Sequence, residues 1–331
     1  MRAMMCEKIG VDPVLRTVED PVAGPGEVVI DIYACGVNFA DTLIIAGKYQ
    51  HRPDLPFIPG FEIAGIVAEV GAGVDATLIG QRVMAMAAHG GFAEKMAHPA
   101  DRIIPIPDGV AFADAAAFQI TYGTSWFALK YRAAVRAGEV VLVHGAAGGV
   151  GVTAVECAKV LGAKVIATAG GAKKCDIARQ HGADFVIDYK SENIAEAVKD
   201  ICQRHGWPAG VDVVYDPVGG DVFDQSLRCV APGARLLVIG FASGDIPRIP
   251  ANILLVKNIS VLGFYLGAYL EQNPEAARAG MADLVQNLAA GYITPSVSRK
   301  FDLADTPLAF AALRDRSATH KMVVLCRKDA D

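Results

Sequence analysis

The sequence predicts an α/β protein in which a barrel-like module of short strands accompanies a doubly wound parallel sheet. Three observations predict it. The first third is β-rich and punctuated by Gly and Pro, strands and helices alternate from about residue 121, and a glycine-rich loop joins one of those strands to its helix. A chain of 331 residues suits about two domains. Its 53% hydrophobic and 20% charged residues suit a folded chain rather than a disordered one.

In the first third, Val28–Tyr33 and Ile63–Val70 are apolar, rich in β-branched residues and bounded by turn residues, so they read as strands. Shorter strands are expected at Gln81–Ala85 and Phe92–Met96. Pro-Gly at 25–26 and 59–60 and Gly-Ala-Gly at 71–73 supply the turns. From residue 121 the reading is strand Val140–Val143, helix Val150–Leu161, strand Lys164–Thr168, helix Ala172–His181, strand Phe185–Ile187 and helix Asn193–Arg204. Strand Val211–Tyr215, a helix near Val222–Val230, and strands Leu236–Ile239 and Ile259–Gly263 follow. These strands are apolar throughout rather than alternating, as strands covered on both faces are. The tail reads as a helix over Leu270–Ala290, a strand at Val297–Phe301, a helix at Leu308–Arg314 and a strand at Met322–Leu325. It is expected to return to the first domain, giving residues 1–121 completed by 265–331, with 122–264 inserted.

A net charge of −5 and a pI near 5.8 disfavour nucleic acid or an anionic membrane as the main partner. No apolar run has the length to cross a bilayer, and the first ten residues lack the apolar core of a secretory signal. The seven cysteines, at 6, 35, 157, 175, 202, 229 and 326, are odd in number and contain no C-x-x-C pair. They read as buried small hydrophobes in a cytoplasmic protein, not as a disulfide or zinc framework. The histidines show no metal spacing, and His144, at a strand end, reads as a core or capping group.

After Val140–Val143 comes His-Gly-Ala-Ala-Gly-Gly-Val-Gly at 144–151, then an apolar helix. Small residues there let the backbone approach a pyrophosphate at a helix N-terminus, where free N–H groups and the helix dipole favour anionic oxygens. A glycine cluster also serves a bare tight turn; the flanking strands and helix supply the context that favours a dinucleotide. An NAD site places Asp or Glu about 20 residues on. Here the second strand runs into Thr168-Ala-Gly-Gly-Ala-Lys173-Lys174 with no carboxylate before Asp176. That pattern points to NADPH, unless the lysines only decorate a first helical turn.

The stretches Gly36-Val-Asn-Phe-Ala-Asp-Thr42, Leu55-Pro-Phe-Ile-Pro-Gly-Phe-Glu62, Gly90-Gly-Phe-Ala-Glu94 and Tyr122-Gly-Thr124 complete the pattern. They are joined by Gly145–Gly151, Val211-Asp-Val-Val-Tyr-Asp216 and Gly240-Phe-Ala-Ser-Gly244. Together they resemble the zinc-independent quinone oxidoreductase branch of the medium-chain dehydrogenase/reductase superfamily over essentially the whole chain. The resemblance implies a GroES-like β-barrel domain, completed by the tail, with an inserted Rossmann domain. Where zinc dehydrogenases of this superfamily carry Cys, His and Cys, the matching positions here are Asn38, Phe61 and Ile120, none a usual zinc ligand. No Cys between 35 and 157 supplies a structural zinc lobe.

The implied activity is metal-free hydride transfer from NADPH to a quinone or an activated alkene such as an enone. The rivals are reduction of a short enoyl-CoA thioester, with Lys48, Arg52 and Lys257 available for its phosphates, and a cofactor-binding, RNA-binding or non-enzymatic relative. Tyr49 is the candidate proton donor, a phenol being protonated at neutral pH; its other reading is an exposed loop aromatic. Asn38 and Thr124 are candidates for orienting nicotinamide or acceptor. The resemblance further implies cofactor contacts from Asp41, Thr42, Gly148, Gly149, Val150, Gly151, Gly240, Phe241, Ser243 and Phe264. It implies Gly170, Lys174, Tyr189 and Arg316 around the adenine ribose and its 2′-phosphate, no metal, and a homodimer pairing edge strands near Ile259–Phe264.

Overall fold

The computed structural model describes residues 1–207, 210–315 and 318–327 and divides into two units, Met1–Ile120 with Pro295–Asp331, and Thr121–Thr294. Along the first segment run β1 (Arg2–Met5), β2 (Val14–Thr17), β3 (Glu27–Val37), α1 (Phe39–Ile45), β4 (Glu62–Val70), β5 (Arg82–Met86), β6 (Lys95–Pro99), β7 (Ile104–Pro105) and α2 (Phe112–Ala116). Helix α3 (Gln119–Trp126) leads into the second unit. There β8 (Val140–Val143), α4 (Gly149–Val160), β9 (Lys164–Ala169), α5 (Ala172–Gln180), β10 (Phe185–Asp188), α6 (Ile194–Arg204), β11 (Val211–Asp216), α7 (Asp221–Ser226), β12 (Val230–Val238), α8 (Ala251–Lys257) and β13 (Ser260–Gly263) alternate. Helices α9 (Leu266–Gln272) and α10 (Pro274–Ala289) follow, then β14 (Val297–Asp302), α11 (Thr306–Arg314) and β15 (Lys321–Leu325).

The first unit is built on a sheet ordered β14-β15-β3-β4-β5-β7, with β6 also on β3. The last strand returns to the first long one, Met322 opposite Val37 and Leu325 opposite Ala34 in antiparallel register. Its core packs Phe92 edge-on to Phe310 at 5.5 Å, both fully buried. Burying such a ring stabilises by roughly 1.5–3 kcal/mol, so the α11 segment is held to the barrel by apolar contact as well as by β15. The strand expected over Phe92–Met96 lies instead at Lys95–Pro99. Gly90 and Gly91 turn the chain so that the amide of Phe92 donates to Pro59 O, and contact with β3 begins where the Ile32 amide donates to Glu94 O, the register running on from Lys95 opposite Asp31.

The second unit holds the parallel sheet β10-β9-β8-β11-β12-β13, every pair parallel. Val140–Val143 and Val213–Tyr215 have no exposed surface, as expected of strands with covered faces. Two tail expectations are corrected. The helix over 270–290 is two helices, because Pro274 cannot continue α9 and instead starts α10. The return to the first unit comes at Pro295 rather than 265, because α9 and α10 pack within the second unit. Tyr269 lies 5.8 Å from the Phe127 ring, and a Cβ on Gly280 would meet that ring at 2.4 Å. The seven cysteines are free thiols and all are buried.

Candidate cofactor and active site

In an open parallel sheet, ligands bind beyond the carboxyl ends of the strands where the strand order reverses. Here the reversal lies between β8 and β11, since β9 and β10 extend one way and β12 and β13 the other. The loops after β8 and β11 meet there: a Cβ on Gly145 would stand 3.3 Å from Val218. Gly145 adopts φ +59°, its carbonyl accepts from the Gly148 amide at 2.9 Å, and Gly148 caps α4. A Cβ on Gly151 would lie 2.2 Å from Gly145 O, so only glycine lets loop and helix approach this closely. The first bond inside α4 runs from Val152 to Gly148 O, so the amides of Gly149, Val150 and Gly151 head the helix with no intrahelical acceptor. That arrangement fits a pyrophosphate. His144 is buried between Thr168 Oγ1 at 3.0 Å and Ser226 Oγ at 2.7 Å. Burial pushes its pKa down, which makes it a neutral packing group.

The neighbouring strand ends collect the residues expected around an adenosine phosphate. Gly170 follows β9, and a Cβ there would meet the Tyr189 hydroxyl at 2.5 Å. Gly171, at φ +87°, caps α5, whose first turn carries Lys173 and Lys174. Lys190, which no sequence pattern marks, joins them: a Cβ on Gly171 would lie 4.0 Å from its Nζ, which brings a third ammonium to the helix start. Asp188 accepts the amides of Gly171 at 2.9 Å and Lys190 at 3.0 Å, and these hold its carboxyl below the usual range. The carboxylate nearest this loop is thus turned to backbone. Arg316 lies outside the described residues.

Asp216, nearly fully buried, accepts the amides of Val218 and Gly219 at 2.8 and 2.9 Å and shapes the turn after β11. Against that turn lies the 240–243 loop: Ala242 N donates to Pro217 O at 3.0 Å, and Ser243 Oγ to Val218 O at 2.7 Å. Phe241 is partly exposed beside them. Phe264 is buried and packs on Tyr269 at 5.4 Å. The structure therefore brings Gly148–Gly151 and Gly240–Ser243 to one end of the sheet, flanking the loop after β11.

The first unit holds a buried polar cluster that the sequence did not announce. Glu62, with no exposed surface, accepts Lys321 Nζ at 2.6 Å and Asn38 Nδ2 at 2.9 Å on one oxygen, and the Ile120 amide at 2.8 Å on the other. Lys321 also donates to Asn38 Oδ1, and Asn38 Nδ2 to Gly36 O at 3.3 Å. The Asn38 amide, 6% exposed, is engaged by protein at both ends. Asp41 has no exposed surface and accepts the amides of Asn38 and Gly60 at 2.7 and 3.1 Å, so it fastens the start of α1. Burial pushes the Asp41 carboxyl up to about 7, against those two amides and the Lys321 charge. Thr42 spends its hydroxyl proton on Phe39 O at 2.7 Å. Tyr49 is half-buried and tilted on Phe61 at 5.3 Å, so it is not a free loop aromatic; Thr124 is half-buried on α3. Phe61 and Ile120 supply no metal donor, Asn38 is occupied, and among the described residues no group of three His, Cys, Asp or Glu could hold a metal ion.

Comparison with known proteins agrees with this arrangement. The family described as "Alcohol dehydrogenase GroES-like domain" matches residues 24–108, and "Zinc-binding dehydrogenase" matches 149–286. The chain is 41% identical over 330 residues to a quinone oxidoreductase-like protein 2 homolog of Nematostella vectensis, covering 98% of this chain and 88% of that one. The chain belongs to the quinone oxidoreductase family of medium-chain dehydrogenases/reductases. Escherichia coli quinone oxidoreductase, solved with NADPH, superposes at a TM-score of 0.90 with 31% identity, covering 98% of this chain and 100% of that one. The Thermus thermophilus quinone oxidoreductase, also studied with NADPH, gives 0.85 and 34%, covering 98% and 100%. The family fold, a GroES-like domain with a Rossmann-like parallel sheet, is the one described above, and the family is one of oxidoreductases. Among the described residues no helix is long and apolar enough to cross a membrane.

Proposed function

We propose that this family member is an NADPH-dependent reductase that delivers hydride to a quinone or enone without a metal. The observation that carries the reading is the chemistry at Asn38, Phe61 and Ile120, where zinc dehydrogenases have ligands. An amide, a phenyl ring and an alkyl chain stand there, and the cation beside Glu62 is the Lys321 ammonium. The zinc in the matched family's description finds no donor set here, so the acceptor must be one that needs little Lewis-acid help.

When bound, reduced nicotinamide supplies the hydride. The chain's own part is to hold and orient. The amides of Gly149, Val150 and Gly151 take the pyrophosphate, and Lys174, joined by Lys190, takes the 2′-phosphate beside Gly170 and Tyr189. The Gly240–Ser243 loop borders the nicotinamide end, with Thr124 and Phe264 as further contacts. Tyr49 donates its phenolic proton to the acceptor oxygen as charge develops there; a phenol with a pKa of about 10 keeps that proton at neutral pH.

The working form is a homodimer. Strand β13 pairs only with β12 among the described residues, which leaves its other edge open. The preceding helix exposes Leu255 at 77% and Val256 at 72%. A second copy covering both removes an exposed apolar edge. NADPH oxidation against a small quinone, an α,β-unsaturated ketone and a short enoyl-CoA tests the reaction. Turnover of quinone or enone supports it, saturation by the enoyl-CoA alone moves the function to thioester reduction, and silence with all three despite tight NADPH binding refutes it.

A further inference from the structure

We propose that Glu62 and Lys321 form a positioning pair that sets the acceptor-side residues in place, a part that neither side chain performs by touching a ligand. The inference rests on the reductase reading above. Its ground is the number of segments that converge on one carboxylate. Glu62 begins β4, Lys321 begins β15, Asn38 immediately precedes α1, and Ile120 lies in the first turn of α3. One Glu62 oxygen receives the Asn38 amide and the Lys321 ammonium, and the other receives the Ile120 N–H. Asn38 starts the stretch that passes through α1 to Tyr49. A single buried anion therefore ties the residue that begins the Tyr49 stretch to the start of α3.

Packing leaves the anion no freedom. A Cβ on Gly36 would meet Glu62 Oε1 at 2.6 Å and Ala116 O at 2.2 Å, so the strand beside it has been pared to glycine to admit the carboxylate. Lys321 is necessary for two reasons. It pairs a charge that would otherwise be buried alone, and it fixes which way the Asn38 amide points by donating to its oxygen. The conformational constraint that a metal ion would impose on surrounding ligands is here imposed by an ammonium supplied from the returning tail.

Three variants test this: Lys321→Met, Lys321→Arg, and the double variant Glu62→Gln with Lys321→Met, which leaves no buried charge unpaired. In the double variant the Gln oxygen can keep the Ile120 N–H only with its NH2 turned toward Asn38, and Asn38, released by the loss of Lys321, can accept that NH2 only by flipping its amide and giving up Gly36 O. Each is measured for melting temperature, NADPH affinity by fluorescence quenching, and kcat and KM for the acceptor that the wild type reduces best. The expected result is a fall in acceptor kcat/KM of at least tenfold in Lys321→Met and in the double variant, largely in kcat. NADPH affinity should stay within twofold and Lys321→Arg should recover most of the loss. A folded double variant with wild-type acceptor kinetics, or equal losses with Arg and Met, overturns the inference. A wild type inactive on every acceptor instead overturns the reductase reading, and the two failures are told apart in one experiment.

Discussion

Replacing Gly151 by Ala puts the cofactor loop to its most direct test. The added methyl would lie 2.2 Å from Gly145 O, 2.8 Å from Gly145 C and 2.8 Å from Ala146 Cα, all backbone atoms in a turn with its own internal bond. Cβ atoms do not approach other heavy atoms within 3.0 Å, so α4 and the loop must separate by about 1 Å. Overpacking of this kind costs about 1–3 kcal/mol, which for a unit of this size lowers Tm by roughly 2–12 °C. The same displacement moves the amides of Gly149–Gly151 out of hydrogen-bonding range of a phosphate. Losing one charge-assisted bond of about 2 kcal/mol weakens binding about 30-fold. Gly148→Ala is the milder comparison in the same loop: its methyl would meet Gly145 O at 3.3 Å, which asks that carbonyl to give by only a few tenths of an ångström, with φ already at −85°. Calorimetric titration with NADPH and a thermal melt read both terms. A Gly151→Ala protein that melts and binds like the wild type would refute the close-approach account of this loop.

Other consequences are as specific. Lys174→Ala should weaken NADPH binding about tenfold, the loss of one charge-assisted contact, and leave NADH binding unchanged; equal losses for both place Lys174 away from the 2′-phosphate. Asp41, with a folded pKa of about 7 against an unfolded value near 3.9, holds a proton in the native state that the unfolded chain has lost. Stability from this group is therefore present below about pH 4 and lost as pH rises toward 7, at up to about 1.4 kcal/mol per pH unit. Urea unfolding at pH 5 and 7.5 should show a larger loss in the wild type than in Asp41→Asn, and parallel losses contradict it. Val256→Asp should convert the dimer to monomer in light scattering, while a dimer that tolerates the charge points to another interface.

The sequence showed most of the Rossmann-like unit, because strands such as Val140–Val143 and Lys164–Ala169 are apolar runs between clear turn signals. It also showed the glycine loop, whose chemistry is local. It hid α1, where Asn38-Phe-Ala-Asp41 initiates a helix too short for any period to register. The helix break at 273–274 is a local feature, marked in the sequence by Pro274. The Glu62–Lys321 pair was out of reach in principle. Its members are 259 positions apart and meet only because β15 returns to β3, so no window of sequence contains both. The motif holding Asn38 and Asp41 is legible in the sequence, but not that both side chains are buried and bonded to protein, since that depends on the packing of β3, β4 and β15. Lys190 escaped because the turn after β10, not the spacing from the glycine loop, brings it to the start of α5.

The central claim is metal-free reduction driven by NADPH. Its most direct measurement is kcat/KM for NADPH and for NADH with the best small quinone or enone, on enzyme dialysed against a strong chelator and on the same enzyme with zinc restored. The account predicts full activity after chelation, no gain from zinc, and a preference for NADPH of at least tenfold that disappears in Lys174→Ala. Activity lost on chelation and recovered with zinc, or NADH used as well as NADPH, would contradict it.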